Sequence, residues 1–261
     1  MADTGSTVTL VTGASSGIGM EIARLAAQEG ENLLLVARRQ ERLEELGREL
    51  QHEHGVIVWV LAKDLSDPNA AQEIADYVEE QGLASGTLVN NAGIGGHGLF
   101  HEQELSRNMK MIQLNVSSLV ALTRLLLPGM ISRGSGRILN VASTAGFLPG
   151  PLQSIYYATK AFVISFSQSI DEELRGKGIS STVLCPGPVR TEFAKTADLE
   201  GAQLMRFAAT PTKVARRGWK AMKRRKLVVS ESGALLFILR FFIPLFPRRV
   251  TLKMSRLAMQ K

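Results

Sequence analysis

Residues 12–19 read TGASSGIG, placing Gly13, Gly17 and Gly19 between an apolar run and an amphipathic one. The preceding run, residues 7–14 (TVTLVTGA), has the continuous β-rich apolar character of a strand covered on both faces. The following run, residues 17–30 (GIGMEIARLAAQEG), spaces its apolar side chains at helical intervals and closes on a glycine. Glycines in a strand-to-helix turn let the backbone bend tightly and approach a pyrophosphate, which the unpaired N–H groups and dipole of the helix N-terminus attract. Gly-rich turns also arise for purely structural reasons. Here the turn joins the first strand to the first helix, and the rest of the chain decides what that means.

Working outward, the alternation persists. Strands are predicted at residues 32–38 (NLLLVAR), 56–64 (VIVWVLAKD), 86–93 (GTLVNNAG), 136–143 (GRILNVAS) and 179–187 (ISSTVLCPG). Helices are predicted at 40–54 (QERLEELGRELQHEH), at 68–82 with Pro68 in the first turn, across 111–130, and from 154 onward. Apolar strands each separated by a helix imply parallel pairing, and right-handed crossovers then place helices on both faces. The expected fold is α/β, a single-domain Rossmann-type doubly wound parallel sheet whose site lies at the carboxyl ends of the strands.

Composition narrows the function classes. Hydrophobic residues at 45% and charged residues at 21% are ordinary for a soluble globular protein. The single cysteine, Cys185, excludes an internal disulfide or a thiolate metal cluster, and its apolar surroundings read as a buried strand thiol. His52, His54, His97 and His101 form no metal-binding pattern and read as surface or loop residues, so no metal is expected. The amino terminus lacks a basic region followed by an apolar stretch, which argues against a signal peptide and for a cytoplasmic location. The net charge of +7 is uneven: residues 213–261 carry fourteen Lys and Arg against Glu231 alone, leaving −6 for the rest.

The spacing TGxxxGxG resembles the short-chain dehydrogenase/reductase family, and further motifs follow in that family's order: Asp64–Leu65, NNAG at residues 90–93, Asn115, Ser143, YYATK at residues 156–160, and PGPVRT at residues 186–191. The tail is similar to those of an NADP-preferring bacterial branch often grouped as DltE-like. The resemblance implies that Gly13, Ser15, Ser16, Gly17, Ile18 and Gly19 cradle the cofactor phosphates. It puts Asp64, Leu65, Asn91, Ala92 and Gly93, with Asn90 in the same segment, beside the adenosine, and Pro186, Gly187, Val189 and Thr191 along the nicotinamide. Where the family's NAD users carry an acid, this chain has Ala37 followed by Arg38 and Arg39. Planar guanidinium forks suit a 2′-phosphate, so NADP(H) is the expected cofactor, with Arg38 ahead of Arg39.

Within residues 154–162 (SIYYATKAF), Tyr156 and Lys160 stand four apart and Tyr157 and Lys160 three apart, so either tyrosine could face the cation on a helix. The family's Tyr-x-x-x-Lys pattern selects Tyr156 as the proton donor to a carbonyl oxygen, its phenol acidified by Lys160, which also holds the nicotinamide ribose. It assigns Ser143 to the same oxygen, with Thr144 as the alternative hydroxyl, and gives Asn115 a helix kink and a water linked to the lysine. Tyr157 is expected to pack or to face the substrate.

The resemblance thins after residue 191. Residues 1–191 read as the dinucleotide-binding and catalytic core. Residues 192–232 read as a substrate lid plus the final strand, with Phe193, Leu199, Leu204, Met205 and Phe207 as an apolar cover, and residues 233–261 as a hydrophobic-basic tail. The apolar block at 233–250 is interrupted by Arg240, Pro244 and Pro247, which does not suit a simple membrane span of about 20 residues. It reads either as a segment lying in the membrane interface or as a helix packed on the lid or a neighbouring subunit. The aliphatic and phenylalanine-rich neighbours of the cations argue against nucleic acid. The expected activity is NADPH-dependent reduction of an apolar ketone or 3-oxoacyl compound by a homodimer or homotetramer. The rival is a catalytically idle NADP-sensing interaction or peripheral-membrane protein on the same fold.

Overall fold

A computed structural model of the chain describes residues 6–199 and 201–260, with Leu204 by its backbone alone; the cover role expected of the Leu204 side chain lies outside the described residues. Seven strands form one parallel sheet in the order β3-β2-β1-β4-β5-β6-β7. They are β1 (Ser6–Thr12), β2 (Asn32–Ala37), β3 (Val58–Ala62), β4 (Leu83–Asn90), β5 (Gly136–Val141), β6 (Ile179–Leu184) and β7 (Val228–Val229). The order reverses between β1 and β4, which opens a crevice above their carboxyl ends.

Helices cover both faces. On one lie α1 (Gly17–Gln28), α2 (Gln40–His54) and α8 (Pro211–Lys223), on the other α3 (Ala70–Glu80), α5 (Ser118–Arg133) and α6 (Ser154–Glu173). The helical spacing is explicit in α2, which buries Leu43, Leu46, Gly47 and Leu50 and ends at Gly55 with φ 67°. Leu10, Leu33, Leu34, Leu35 and Leu88 are fully buried in the strands between the layers. At about 2 kcal/mol for each such side chain, this aliphatic sandwich explains why continuous apolar runs, and not alternating ones, mark the strands.

Three elements differ from the sequence reading. β4 begins at Leu83, three residues before Gly86, because its pairing with β1 shifts register between Val8 and Thr9 and skips Gly86. A Cβ on Gly86 would come within 2.5 Å of Thr7 Cγ2, so a larger residue there would have to displace the Thr7 side chain. Pro68 precedes α3 and is not in its first turn. The helical stretch over 111–130 is part of a longer one: α4 (Leu105–Ile112) runs into a π-turn (Gln113–Ser117) and then α5. The expected kink at Asn115 is this π-turn.

Beyond β6 the chain builds the outer wall of the crevice from α7 (Glu192–Thr196) and a 3₁₀ turn (Gln203–Phe207), before α8 packs back onto the sheet. It then returns through β7 to α9 (Gly233–Phe237), a second π-turn (Ile238–Phe242), a 3₁₀ turn (Ile243–Leu245) and α10 (Arg248–Met259).

Candidate active site

One cleft of about 500 Å³ opens at the switch point, and the predicted cofactor and catalytic residues line it except Gly19, Asn90 and Asn115. At its floor the loop after β1 turns through Gly13 (φ 65°) and Gly17 (φ 59°), conformations that side chains rarely adopt. Gly19 permits a close approach behind the cleft: a Cβ there would lie 2.4 Å from Asn91 Nδ2 and 2.5 Å from the Gly13 carbonyl. Thr12, which the sequence reading passed over, clamps this loop to the end of β4. Its hydroxyl donates to the Val89 carbonyl at 3.1 Å and accepts from the N–H groups of Asn91 (2.9 Å) and Ala92 (3.1 Å). The N-cap of α1, Ser16, makes no side-chain capping bond, so the helix N-terminus is presented to the cleft.

The mouth beside this loop is cationic. Ala37, the last residue of β2, is buried and carries no carboxylate, and Arg38 and Arg39 follow along the rim. Arg39 reaches back over the loop to Ser15 Oγ (3.1 Å), and with Arg42 it grips the Glu192 carboxylate at the start of α7 (2.7 and 2.6 Å). Hydrogen bonds from Arg42 and Arg39 bring the Glu192 carboxyl down to about 2. A pair of guanidiniums already holding an anion on the surface is a donor set that suits a phosphate. Further along, burial opposes the charge on Asp64, but hydrogen bonds from the Ser66 side chain and backbone and the Lys110 ammonium outweigh it and hold the carboxyl below its usual range. Asn91, Ala92 and Gly93 line the same wall, whereas Asn90 turns away, donating to Thr123 Oγ1 (3.0 Å) and Asn140 Oδ1 (2.8 Å) within the sheet layer.

Ser143 follows β5 at the N-cap of a 3₁₀ turn, where its Oγ accepts from the Ala145 N–H at 3.1 Å and donates to the Pro186 carbonyl at 3.3 Å. Thr144 also lines the cleft, but Ser143 is the hydroxyl that neighbours the Tyr156 phenol. Tyr156 (9% exposed) and Lys160 (5% exposed) lie one turn apart on α6. The Lys160 ammonium donates to the Val141 carbonyl at 2.8 Å and stands 5.8 Å from the centre of the Tyr156 ring.

One sequence expectation needs correcting here. The phenol is not acidified by its surroundings: burial pushes it up to about 12, and Tyr157 adds to that, against a smaller lowering by the Ser143 hydrogen bond. Burial also brings Lys160 down to about 8. The Tyr156 phenol is therefore firmly protonated at neutral pH, and the lysine beside it is the group poised to titrate.

Asn115 stands behind the cleft wall. Its Oδ1 accepts from the Ile94 N–H (2.9 Å), while Nδ2 donates to the Ile94 carbonyl (3.0 Å) and to Thr159 Oγ1 (3.1 Å). Thr159 in turn donates to the Tyr156 carbonyl at 2.8 Å. The side-chain amide thus braces the segment after β4 against the turn of α6 that carries Tyr156. Tyr157 meets the Tyr156 ring edge-on (6.3 Å, 73°), lines the cleft and faces the Ser255 hydroxyl of α10.

The outer wall partly follows expectation. Phe193 packs on the Tyr156 ring (centroids 5.4 Å apart), and Leu199 and Met205 line the cleft, but Phe207 is 87% exposed and covers nothing. Among the contributors that were not foreseen, four stand out. Gln153, buried at the start of α6, lines the cleft while donating to the Gly96 carbonyl at 2.9 Å; Leu235, Leu239 and Met259 come from the tail. Glu231 accepts from the Gly187 N–H at 3.0 Å and so anchors the Pro186–Thr191 wall. Its one sequence signal was its isolation, a single acid within a strongly basic stretch.

The pattern of the family described as short chain dehydrogenase matches residues 7–201. The chain belongs to that family. A short-chain dehydrogenase from Sphingobium yanoikuyae in complex with NADPH superposes with a TM-score of 0.82 at 34% identity, over 88% of this chain and 89% of that one. The very-long-chain 3-oxoacyl-CoA reductase of Anas platyrhynchos is 36% identical over 192 residues, 71% of this chain but only 61% of that protein. Sulfoacetaldehyde reductase 2 of Chromohalobacter salexigens is 39% identical over 190 residues, 72% of this chain and 75% of that one. The matched family region covers β1 to α7, so the uncapped α1 N-terminus, the arginine rim and the Ser143–Tyr156–Lys160 wall fit a nicotinamide dinucleotide.

Proposed function

We propose that the chain is an NADPH-dependent carbonyl reductase acting on an apolar ketone or 3-oxoacyl compound. The observation that carries this reading is the convergence of Ser143, Tyr156 and Lys160 on one buried wall of the cleft whose opposite rim holds Arg38 and Arg39. The N-terminus of α1 and the loop from Gly13 to Gly19 would hold the pyrophosphate, Arg38 and Arg39 the 2′-phosphate, Asp64, Leu65 and the 91–93 segment the adenosine, and Pro186 to Thr191 the nicotinamide. A reduced nicotinamide bound there supplies hydride.

The chain's own groups supply the rest. Tyr156 Oη–H gives its proton to the carbonyl oxygen as charge grows on it, a contribution of the order of 10²–10⁴-fold for a well-placed donor. The Ser143 hydroxyl exchanges its long bond to Pro186 for one to the same oxygen and stabilises that charge. Lys160 holds the ribose and supplies a cation beside the phenol, while Asn115 sets the turn on which both residues sit. Phe193, Leu199, Met205, Leu235, Leu239 and Met259 give the substrate side an apolar lining, which favours a greasy substrate over a sugar. The partition into a core (1–191), a lid with the final strand (192–232) and a tail (233–261), the homodimeric or homotetrameric state, and a cytoplasmic location at a membrane surface belong to the same proposal.

The test is NADPH oxidation against ketones running from small diketones to long-chain 3-oxoacyl thioesters, with NADH alongside and Tyr156→Phe as control. Turnover that prefers NADPH and falls at least 10²-fold in the variant is expected; equal turnover by the variant would remove the mechanism.

A further inference from the structure

The tail has two faces of opposite use. Its inner face, Leu235, Leu239 and Met259, walls the substrate side of the cleft. Its outer face is apolar and bare. Of the nineteen exposed large apolar side chains among the described residues, ten fall between Phe237 and Leu257. Phe237 at the end of α9 and Phe241 and Phe242 in the second π-turn gather into an aromatic cluster in open solvent, with ring centroids 5.0 and 5.8 Å from Phe237. In α10 the usual polarity is inverted: Thr251 and Ser255 face inward beside Met259, while Val250, Leu252, Met254 and Leu257 face out. No aqueous monomer gains from that arrangement.

The charges on this stretch identify the occupant. Residues 233–260 carry Arg240, Arg248, Arg249, Lys253 and Arg256 and no acid, and none of the five has an ion-pair partner among the described residues. Arg240 lies over the Phe241 ring at 6.0 Å, its head level with the aromatic cluster. Exposed rings interleaved with unpaired cations match an anionic bilayer surface, where each cation near the headgroups raises affinity roughly fivefold. A second copy of the chain docked on this face about a two-fold axis would bring the same cations together.

We infer that residues 233–259 dock on an anionic lipid surface and pass an apolar substrate from the bilayer into the cleft between Leu235, Leu239 and Met259. The delivery step rests on the carbonyl-reductase reading; the docking step does not. In this arrangement Phe241 and Phe242 insert at the acyl–headgroup boundary and Arg248, Arg249 and Lys253 meet the headgroup phosphates. The inner face of the same segment gives a long chain an apolar path from bilayer to cleft.

The experiment is co-sedimentation of the full chain with phosphatidylcholine vesicles, with and without phosphatidylglycerol, paired with turnover of two ketones: one water-soluble and one long-chain and vesicle-embedded. The variant is Phe241→Asp with Phe242→Asp, two exposed positions outside the cleft. Retention on the phosphatidylglycerol vesicles is expected, with at least a tenfold loss in the variant. The variant should lose the embedded ketone by a similar factor and keep the soluble one. Wild-type protein left in the supernatant, or retained equally by uncharged vesicles, overturns the docking. A variant that turns a dimer into a monomer without any vesicle dependence shows a subunit interface instead. Vesicle binding without turnover of either ketone supports the docking and overturns the reductase reading with its delivery step. Soluble-ketone turnover with an embedded-ketone rate indifferent to the variant overturns delivery alone.

Discussion

The two walls of the cleft are built on opposite principles. The inner wall, from the loop after β1 to the first turns of α6, is buried and densely hydrogen-bonded: Thr12 ties three backbone groups, Asn115 three polar groups, and Lys160 sits against the Val141 carbonyl. The outer wall, residues 192–207 and 233–259, exposes aromatic side chains, and the cations of its tail have no ion-pair partner among the described residues. A densely bonded wall holds its side chains within tenths of an ångström, the precision that proton transfer needs. A sparsely bonded wall is left free to adapt to a partner or a substrate.

The largest expected effect that would break this contrast lies at Lys160. Burial disfavours its charge, so the native pKa of about 8 lies below the usual 10.5. Between those values the unfolded chain binds a proton that the native state does not, and stability rises with pH across that window. Below about 8 the charged lysine costs the fold up to roughly 3 kcal/mol. Lys160→Met should therefore raise the Tm at pH 7 while abolishing turnover. Loss of both stability and turnover would show that the wall needs the cation for its packing. In the wild type, ketone reduction should decline above about pH 8 as Lys160 discharges, while Tyr156, raised to about 12, keeps its proton throughout. A kcat/KM flat to pH 10 would separate Lys160 from the chemistry.

A smaller effect is expected where the walls meet. Glu231→Ala removes the acceptor of the Gly187 N–H and leaves that donor unpaired, at a cost of about 1–3 kcal/mol. Because the loop from Pro186 lines the cleft, the loss should appear as weaker NADPH binding in a fluorescence titration, and Glu231→Gln, which keeps an acceptor, should restore most of it. The smallest effect belongs to the rim. Glu192 is exposed, so Glu192→Gln should change stability by less than about 1 kcal/mol in thermal unfolding, despite its two arginine contacts.

Legibility in the sequence followed the same divide. The order of strands and helices was readable because burial on both faces imposes continuous apolar runs, and the meeting of Gly13, Gly17, Ser143, Tyr156 and Lys160 in one cleft was readable because each stands at the carboxyl end of a strand or in the helix turn beside it. Gly86 misled the start of β4 because a register irregularity leaves no periodic trace. Phe207 was expected to turn inward and does not, since apolar composition alone carries no direction in a short 3₁₀ turn. Glu231 and Gln153 escaped because a buried polar partner is specified by what it meets and not by its neighbours in sequence.

By itself, then, the sequence determined a doubly wound parallel sheet, a glycine-rich turn into its first helix, and a tyrosine and lysine one helical turn apart. These rest on local periodicity and short spacings, which the chain carries within a few residues. Only the tertiary structure decided that the phenol is raised and not lowered, that Asn115 braces rather than lines the cleft, and that the tail walls the cleft on one side while baring its phenylalanines on the other. Each of those depends on burial and on contacts between residues far apart in the chain, and a linear pattern records neither.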